Sequence, residues 1–214
     1  AQSFGAEYYG KKSGNLSELS CTSFFPAKPL GCYGDGGAIF TSSDDIYEKL
    51  VSIRVHGKGK DKYDNINIGI NGRLDTIQAA ILIEKLKIFK KEILFRREVA
   101  SKYKKLLGDC FVFQHIPDNY QSAWAQFCLL ADTKEDRNLI LKYLKEKNIP
   151  TAIYYPKPLH LQSVFSKINY KNNFLKVSEQ ISDRIFSIPM HPYLSDDNIN
   201  KICNILIRAK NELS

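Results

Sequence analysis

Ser23-Phe24-Phe25-Pro26-Ala27-Lys28-Pro29-Leu30-Gly31, followed at once by Cys32-Tyr33-Gly34-Asp35-Gly36-Gly37, decides the fold of this chain. An apolar run from Leu19 to Phe25 has the composition of a strand and ends at the Pro26 turn, with Lys28 at the crest of that turn. Ala38-Ile39-Phe40-Thr41 reads as the next strand. A lysine confined among Phe24, Phe25, Pro26 and Leu30 loses hydration. Desolvation disfavours its ammonium form and lowers its pKa, the condition under which a lysine amine attacks a carbonyl near neutral pH. The alternative is a lysine on an ordinary surface turn, where most lysines sit. Gly34, Gly36 and Gly37 have the look of a phosphate cradle, but they follow the lysine and open no helix. They are read as letting the backbone turn sharply and pass close to the site.

Outward from this loop the pattern is mixed α/β. Ser42 or Ser43 caps a helix through Ile46, Leu50 and Ile53 that ends near Gly57. Lys58 to Gly69, rich in Gly, Asn and Asp, is a loop. From Leu74 to Leu107 apolar residues keep a helical period with no proline: Ile77, Ile81, Leu82, Leu86, Ile88, Phe89, Ile93, Val99, Tyr103 and Leu106. This predicts one long helix, or two with a bend near Lys90, closed by Gly108. Beyond Asp109 the expectation is α+β: strands near Phe111–Phe113 and Ala125–Leu130, a helix capped by Thr133 and stopped before Pro150, a strand over Thr151–Tyr155, a turn-rich loop to Asn173, and two closing helices, the last opening at Ser195.

Four stretches together resemble the DegT-type sugar aminotransferases, fold-type-I enzymes dependent on pyridoxal 5'-phosphate (PLP). Ala1-Gln2-Ser3-Phe4-Gly5-Ala6 is similar to the end of the family's Asp-Ala-Ala-Gln segment. Ser23 to Lys28 is similar to its cofactor-lysine loop. Gly69-Ile70-Asn71-Gly72-Arg73-Leu74-Asp75-Thr76-Ile77-Gln78-Ala79-Ala80 is similar to the loop leading into its long helix. Tyr155-Pro156-Lys157-Pro158-Leu159-His160 and Pro189-Met190-His191-Pro192-Tyr193-Leu194 are similar to parts of its C-terminal domain. The resemblance implies part of a large mixed-sheet domain over residues 1–90 and a small α+β C-terminal domain over 91–214, linked by the long helix. The family's carboxylate that pairs with the pyridine nitrogen would stand just before Ala1, and the family's N-terminal half has no counterpart here. The sequence therefore reads as the C-terminal portion of a larger enzyme.

What the resemblance implies for single residues can be set beside the plainer readings. Lys28 would hold the PLP aldehyde and shuttle the proton of transamination. Ser23, five residues earlier, would bond the phosphate; otherwise it is a strand-end hydroxyl bonded to backbone. Gln2 would contact the cofactor near its ring oxygen. Asn71 would reach the cofactor phosphate, and Arg73 the nucleotide-sugar, of a dimer partner; otherwise Arg73 pairs with Asp75 or Glu84 at a capped helix start. Tyr154, Tyr155 and His160 are candidate substrate contacts, with aromatic packing the alternative. His56 reads as a helix-end histidine and Trp124 as core.

Composition narrows the classes. The 214 residues are 43% hydrophobic and 25% charged, an ordinary globular mixture. No run approaches the roughly 18 apolar residues of a membrane span, and no signal peptide is evident. The five cysteines (Cys21, Cys32, Cys110, Cys128, Cys203) show no Cys-x-x-Cys spacing, and the four histidines are dispersed. A disulfide framework and a metal site are therefore not expected, and a reducing cytoplasm is. The net charge of +8 is read as solvated helix faces such as Lys85-Leu86-Lys87-Ile88-Phe89-Lys90-Lys91, compatible with attraction of an anionic nucleotide-sugar. Neither a nucleic-acid module nor a membrane partner is expected.

The expected activity is amination of a keto nucleotide-sugar, UDP-linked by the closest likeness, with L-glutamate as amino donor and a homodimer sharing its sites. Such products feed surface polysaccharide, lipopolysaccharide or glycan assembly. Three rivals remain: a PLP-dependent sugar dehydratase relative, against which Lys28 speaks because histidine replaces the lysine there; a non-catalytic fragment or dimerisation module of such an enzyme; and basic nucleic-acid binding, which would weaken steeply with added salt and not respond to PLP.

Overall fold

In the computed structural model, which describes residues 1–61, 63–168 and 174–212, the chain divides into two compact units. The first comprises Ala1–Leu94 with Ile116–Ala125, and the second Phe95–His115 with Gln126–Ser214. The division falls inside a helix, because the long apolar period of the sequence forms one uninterrupted α-helix, α2 (Thr76–Leu107), which follows α1 (Asp44–Arg54).

In the first unit two-residue strands β1 (Glu7–Tyr8) and β2 (Lys11–Lys12) form a small antiparallel sheet with β6 (Tyr120–Gln121). Strands β3 (Leu19–Ser23) and β4 (Gly37–Thr41) pair antiparallel, Leu19 opposite Thr41 and Ser23 opposite Gly37. Ser43 caps α1 by accepting from the Ile46 N–H, and Asp44 and Asp45 in the first turn face the positive end of its dipole. A cluster of Phe24, Leu30, Cys32 and Leu82 is the core beneath the β3–β4 connection. Phe4 docks the N-terminal segment onto it through the rings of Phe24, Phe40 and Phe89, with centroids 5.4–6.2 Å apart.

The first half of α2 turns one stripe toward this core: Leu74 just before it, then Gln78, Leu82, Lys85, Phe89 and Ile93, each buried or half-buried. Spacings of three and four residues keep them on one face. The expected solvated lysine face is therefore corrected at Lys85, which lies inward, while Leu86 and Ile88 stand about half exposed.

In the second unit β5 (Val112–Phe113), β7 (Phe127–Leu130) and β8 (Ile185–Ile188) form an antiparallel sheet with β7 in the middle. Helices α3 (Lys134–Glu146), α4 (Lys176–Arg184) and α5 (Asp196–Asn211) complete the unit, with α3 packed on both α4 and α5. Thr133 and Asp136 form a reciprocal capping box at α3, and Ser195 caps α5. Leu144 and Leu206 are fully buried, each contributing about 2 kcal/mol of apolar burial.

Two expectations are corrected here. Residues 151–155 form no strand: Ala152 makes one isolated bridge to Ser187. The sheet takes its third strand from Ile185–Ile188 instead, a strand the sequence reading did not separate from the helix before it. The turn-rich loop contains 3-10 turns at Leu159–Leu161 and Ser163–Ile168, and its end at 169–173 lies outside the described residues. No helix among the described residues is long and apolar enough to cross a membrane.

Candidate functional site

Lys28 sits where β3 leaves the sheet. Its N–H donates to the Phe25 carbonyl at 2.9 Å, a tight turn that Pro26 pre-shapes. The loop closes at its base through Phe24 N–H to Gly36 O and Cys32 N–H to Phe24 O, both 2.8 Å. The fully buried Cys32 adds its thiol, donating toward the carbonyls of Phe24 and Gly34 at 3.0 Å. Phe24 and Leu30 are buried in the core cluster, Phe25 and Pro26 are exposed, and Lys28 is half-buried, so the full apolar confinement expected of the lysine is met only in part. Among the described residues its ammonium has no hydrogen-bond or ion-pair partner.

Ser23, at the last position of β3, accepts from the Phe25 N–H at 3.2 Å. This is the backbone-bonded hydroxyl of the plainer reading, yet it engages only a lone pair of the oxygen and leaves the O–H to donate. One residue earlier in the strand, the buried Oγ1 of Thr22 has no hydrogen-bond partner among the described residues. Ser23 therefore stands at the end of β3 with an O–H to give, and the turn that begins two residues later carries Lys28. These groups suit a ligand that carries both an aldehyde and an anionic phosphate. Gln2 is half-buried in the segment that Phe4 docks.

Asn71 and Arg73 come from a different construction in the same unit. The segment after α1 folds back on it: His56 N–H donates to Ile70 O at 3.0 Å, Ile70 N–H to Ile53 O at 2.8 Å and Gly72 N–H to Arg54 O at 2.9 Å. Gly57 has a φ of +76°, and a Cβ there would lie 1.7 Å from the Asn67 carbonyl, so only glycine lets the two strands of this loop approach. The loop delivers Asn71 and Arg73 to the surface, both exposed, with Arg73 Nε donating to Asn71 Oδ1 at 3.2 Å. The alternative pairing of Arg73 with Asp75 or Glu84 is not formed among the described residues; Glu84 is engaged by Lys87 at 2.6 Å. Among the described residues no hydrogen bond or ion pair joins Asn71 or Arg73 to Ser23 or Lys28.

Tyr154, Tyr155 and His160 are brought together in the second unit, on the wall of a cavity of about 880 Å³ that Leu159, Phe165 and Ile181 also line. Tyr155 is exposed. His160 is buried, its Nε2 lying 3.1 Å from Glu179 Oε1, so it braces the cavity wall through α4. Glu179 also accepts from the Leu175 N–H at the start of that helix. Trp124 is buried and His56 stands at the end of α1 with a φ of +60°. No group of three metal-ligating side chains occurs among the described residues.

Gln78 and Lys85 were missed by sequence reasoning. Both contact the Lys28 loop from α2. The signal was present: two polar residues seven apart, within a stripe otherwise made of Leu74, Leu82, Phe89 and Ile93.

The profile of the DegT/DnrJ/EryC1/StrS aminotransferase family matches residues 1–207. The chain is 44% identical, over 207 residues, to a UDP-2-acetamido-2-deoxy-3-oxo-D-glucuronate aminotransferase of Pseudomonas aeruginosa, covering 96% of this chain and 56% of that one. It is 36% identical to a dTDP-3-amino-3,6-dideoxy-alpha-D-galactopyranose transaminase of Aneurinibacillus thermoaerophilus, covering 97% and 56% respectively. The crystal structure of a DegT DnrJ EryC1 StrS aminotransferase from Brucella abortus superposes with a TM-score of 0.90 at 44% identity, over 96% of this chain and 54% of that one. The chain spans about half the length of the curated relatives it matches.

Proposed function

The chain belongs to the DegT/DnrJ/EryC1/StrS aminotransferase family, and from that premise we propose that it forms the lysine-bearing part of a PLP-dependent enzyme that aminates a keto nucleotide-sugar. The observation that carries this reading is the closed loop that presents Lys28, its amine without an acceptor among the described residues, five residues after the Ser23 hydroxyl at the strand end. PLP bound there would supply an aldehyde for covalent attachment and an electron sink that acidifies the donor's α-carbon.

Within that scheme each residue has a task. Lys28 would hold the cofactor aldehyde, and its amine, when free, would carry a proton away from the donor's α-carbon. Ser23 donates its O–H to a phosphate oxygen. Gln2 contributes an amide at the ring. Asn71 and Arg73, exposed on their loop, serve the phosphate and the nucleotide of a second copy, which makes the working unit a homodimer. Tyr154 and Tyr155 contact the sugar, and His160 braces the wall that carries them.

The preferred substrate is UDP-linked and N-acetylated, a choice supported by the 44% identity to the Pseudomonas aeruginosa enzyme. L-Glutamate is the proposed donor, the cytoplasm the proposed site of action, and surface polysaccharide, lipopolysaccharide or glycan the proposed destination. Division into a PLP-binding part over 1–90 and a small domain over 91–214 belongs to the same proposal.

Incubation with PLP, borohydride reduction and peptide mass spectrometry test it. A pyridoxyl adduct on the peptide carrying Lys28, absent in Lys28→Ala, is the expected result. No adduct on this chain, nor on one extended at its N-terminus to the length of its relatives, would overturn the reading.

A further inference from the structure

We propose that Gln78 and Lys85 are positioning residues that clamp the Lys28 loop onto α2, so that the lysine amine is held at a fixed height above the strand end. The role in cofactor attachment rests on the proposed function; the clamp itself does not.

Two attachments, two helical turns apart, pin the far limb of the loop. Gln78 Oε1 accepts the Tyr33 N–H at 2.8 Å. Lys85 Nζ donates to the Gly31 carbonyl at 2.5 Å and lies 5.1 Å from the centroid of the Tyr33 ring, a cation–π contact. Between them the fit is close: a Cβ on Gly34 would stand 3.0 Å from Gln78 Nε2. Gly31 is buried, so its carbonyl would lose its partner if Lys85 were shortened.

A half-buried ammonium with a long stem commonly reaches for solvent. Lys85 instead ends on a backbone carbonyl 54 residues away. The near limb of the loop is held by its own hydrogen bonds, Lys28 N–H to Phe25 O and Phe24 N–H to Gly36 O. The far limb depends on α2. Freed from it, residues 31–34 would keep only the internal closure, and the orientation of Lys28 would broaden. A covalent attachment that requires one approach angle slows when the nucleophile samples many.

The test compares Gln78→Ala and Lys85→Met with the conservative Gln78→Glu, which keeps the acceptor for Tyr33, and Lys85→Arg, which keeps the cation and donor. In the chain without PLP, hydrogen exchange of the far-limb Cys32 and Tyr33 amides should accelerate about tenfold in the first pair and stay near wild type in the second, since local opening free energy sets exchange. Exchange in α1 and α3 should not change, which separates clamp release from general unfolding. The rate of pyridoxyl trapping at Lys28 should fall about tenfold in the first pair and recover in the second. Unchanged exchange in both truncated variants would overturn the clamp. Faster exchange with unchanged trapping would overturn the positioning role. A wild-type chain that forms no adduct would count against the proposed function, while the exchange experiment still decides the clamp.

Discussion

The hydroxyl of Tyr103 donates to the carbonyl of Pro189 at 2.8 Å, joining α2 to the turn that follows β8. Tyr103 is fully buried, and burial, with Cys203 nearby, pushes its phenol above the usual tyrosine range. Tyr103→Phe keeps the ring against Phe127 and leaves the Pro189 carbonyl without its donor. The expected cost is about 1–2 kcal/mol, read as a lower midpoint in urea with an unchanged slope.

Alkaline pH should destabilise the fold in part through a thiol. Burial pushes Cys203 from the ordinary 9.0 up to about 12. The folded state therefore keeps its proton while the unfolded state loses it, so stability is intact below pH ~9 and is lost as pH rises toward ~12. The slope from this one group is at most about 1.4 kcal/mol per pH unit. Thermal melts between pH 8 and 11 on wild type and Cys203→Ala check it; an equal decline in both would refute the assignment. The same burial predicts an order of reactivity, with exposed Cys21 taking a thiol reagent before buried Cys32 and Cys203.

At α3 the capping box gives a local test. Thr133→Ala removes the acceptor for the Asp136 N–H, 3.0 Å away, and should cost about 1 kcal/mol by denaturant melts. Thr133→Ser should cost only a few tenths.

If Asn71 and Lys28 belong to sites shared between two copies, variants deficient in each should complement. Mixing Asn71→Ala with Lys28→Ala in an active preparation should give hybrid dimers that place both lesions in one site and leave the other whole. Recovery of about a quarter of wild-type activity follows from random pairing of symmetric protomers. Activity no higher than that of the separate variants would argue for sites built within one copy.

The elements legible in the sequence were those with a period or a cap. Thr133 and Ser195 mark helix starts at the residues expected, Ser43 is one of the two caps expected for α1, and α2 is the unbroken one of the two forms its spacing allows. Strands β1, β2 and β6 are two residues long and have no alternation to detect. Ile185–Ile188 lies directly against α4, with no Gly or Pro between them, so composition alone could not separate strand from helix. Thr151–Tyr155 carries the right residues for a strand and Ala152 does pair with Ser187 of β8, but the pairing stops at one bridge, and Pro156 and Pro158 offer no donors for extending a ladder. Lys28 was legible because its turn is local. The Gln78 and Lys85 contacts were not, since a polar residue in an apolar stripe announces a partner without saying which one.

The spacing of those two residues makes α2 a ruler. Seven residues span about 10 Å of helix and nearly two whole turns, which is why both side chains reach the same loop. One residue inserted between them would swing Lys85 by about 100° off that face, whereas a conservative replacement would leave the measure intact. The interval from Gln78 to Lys85 should therefore tolerate changes of letter but not of length, an indel-free stretch inside a helix whose outer surface is free to drift.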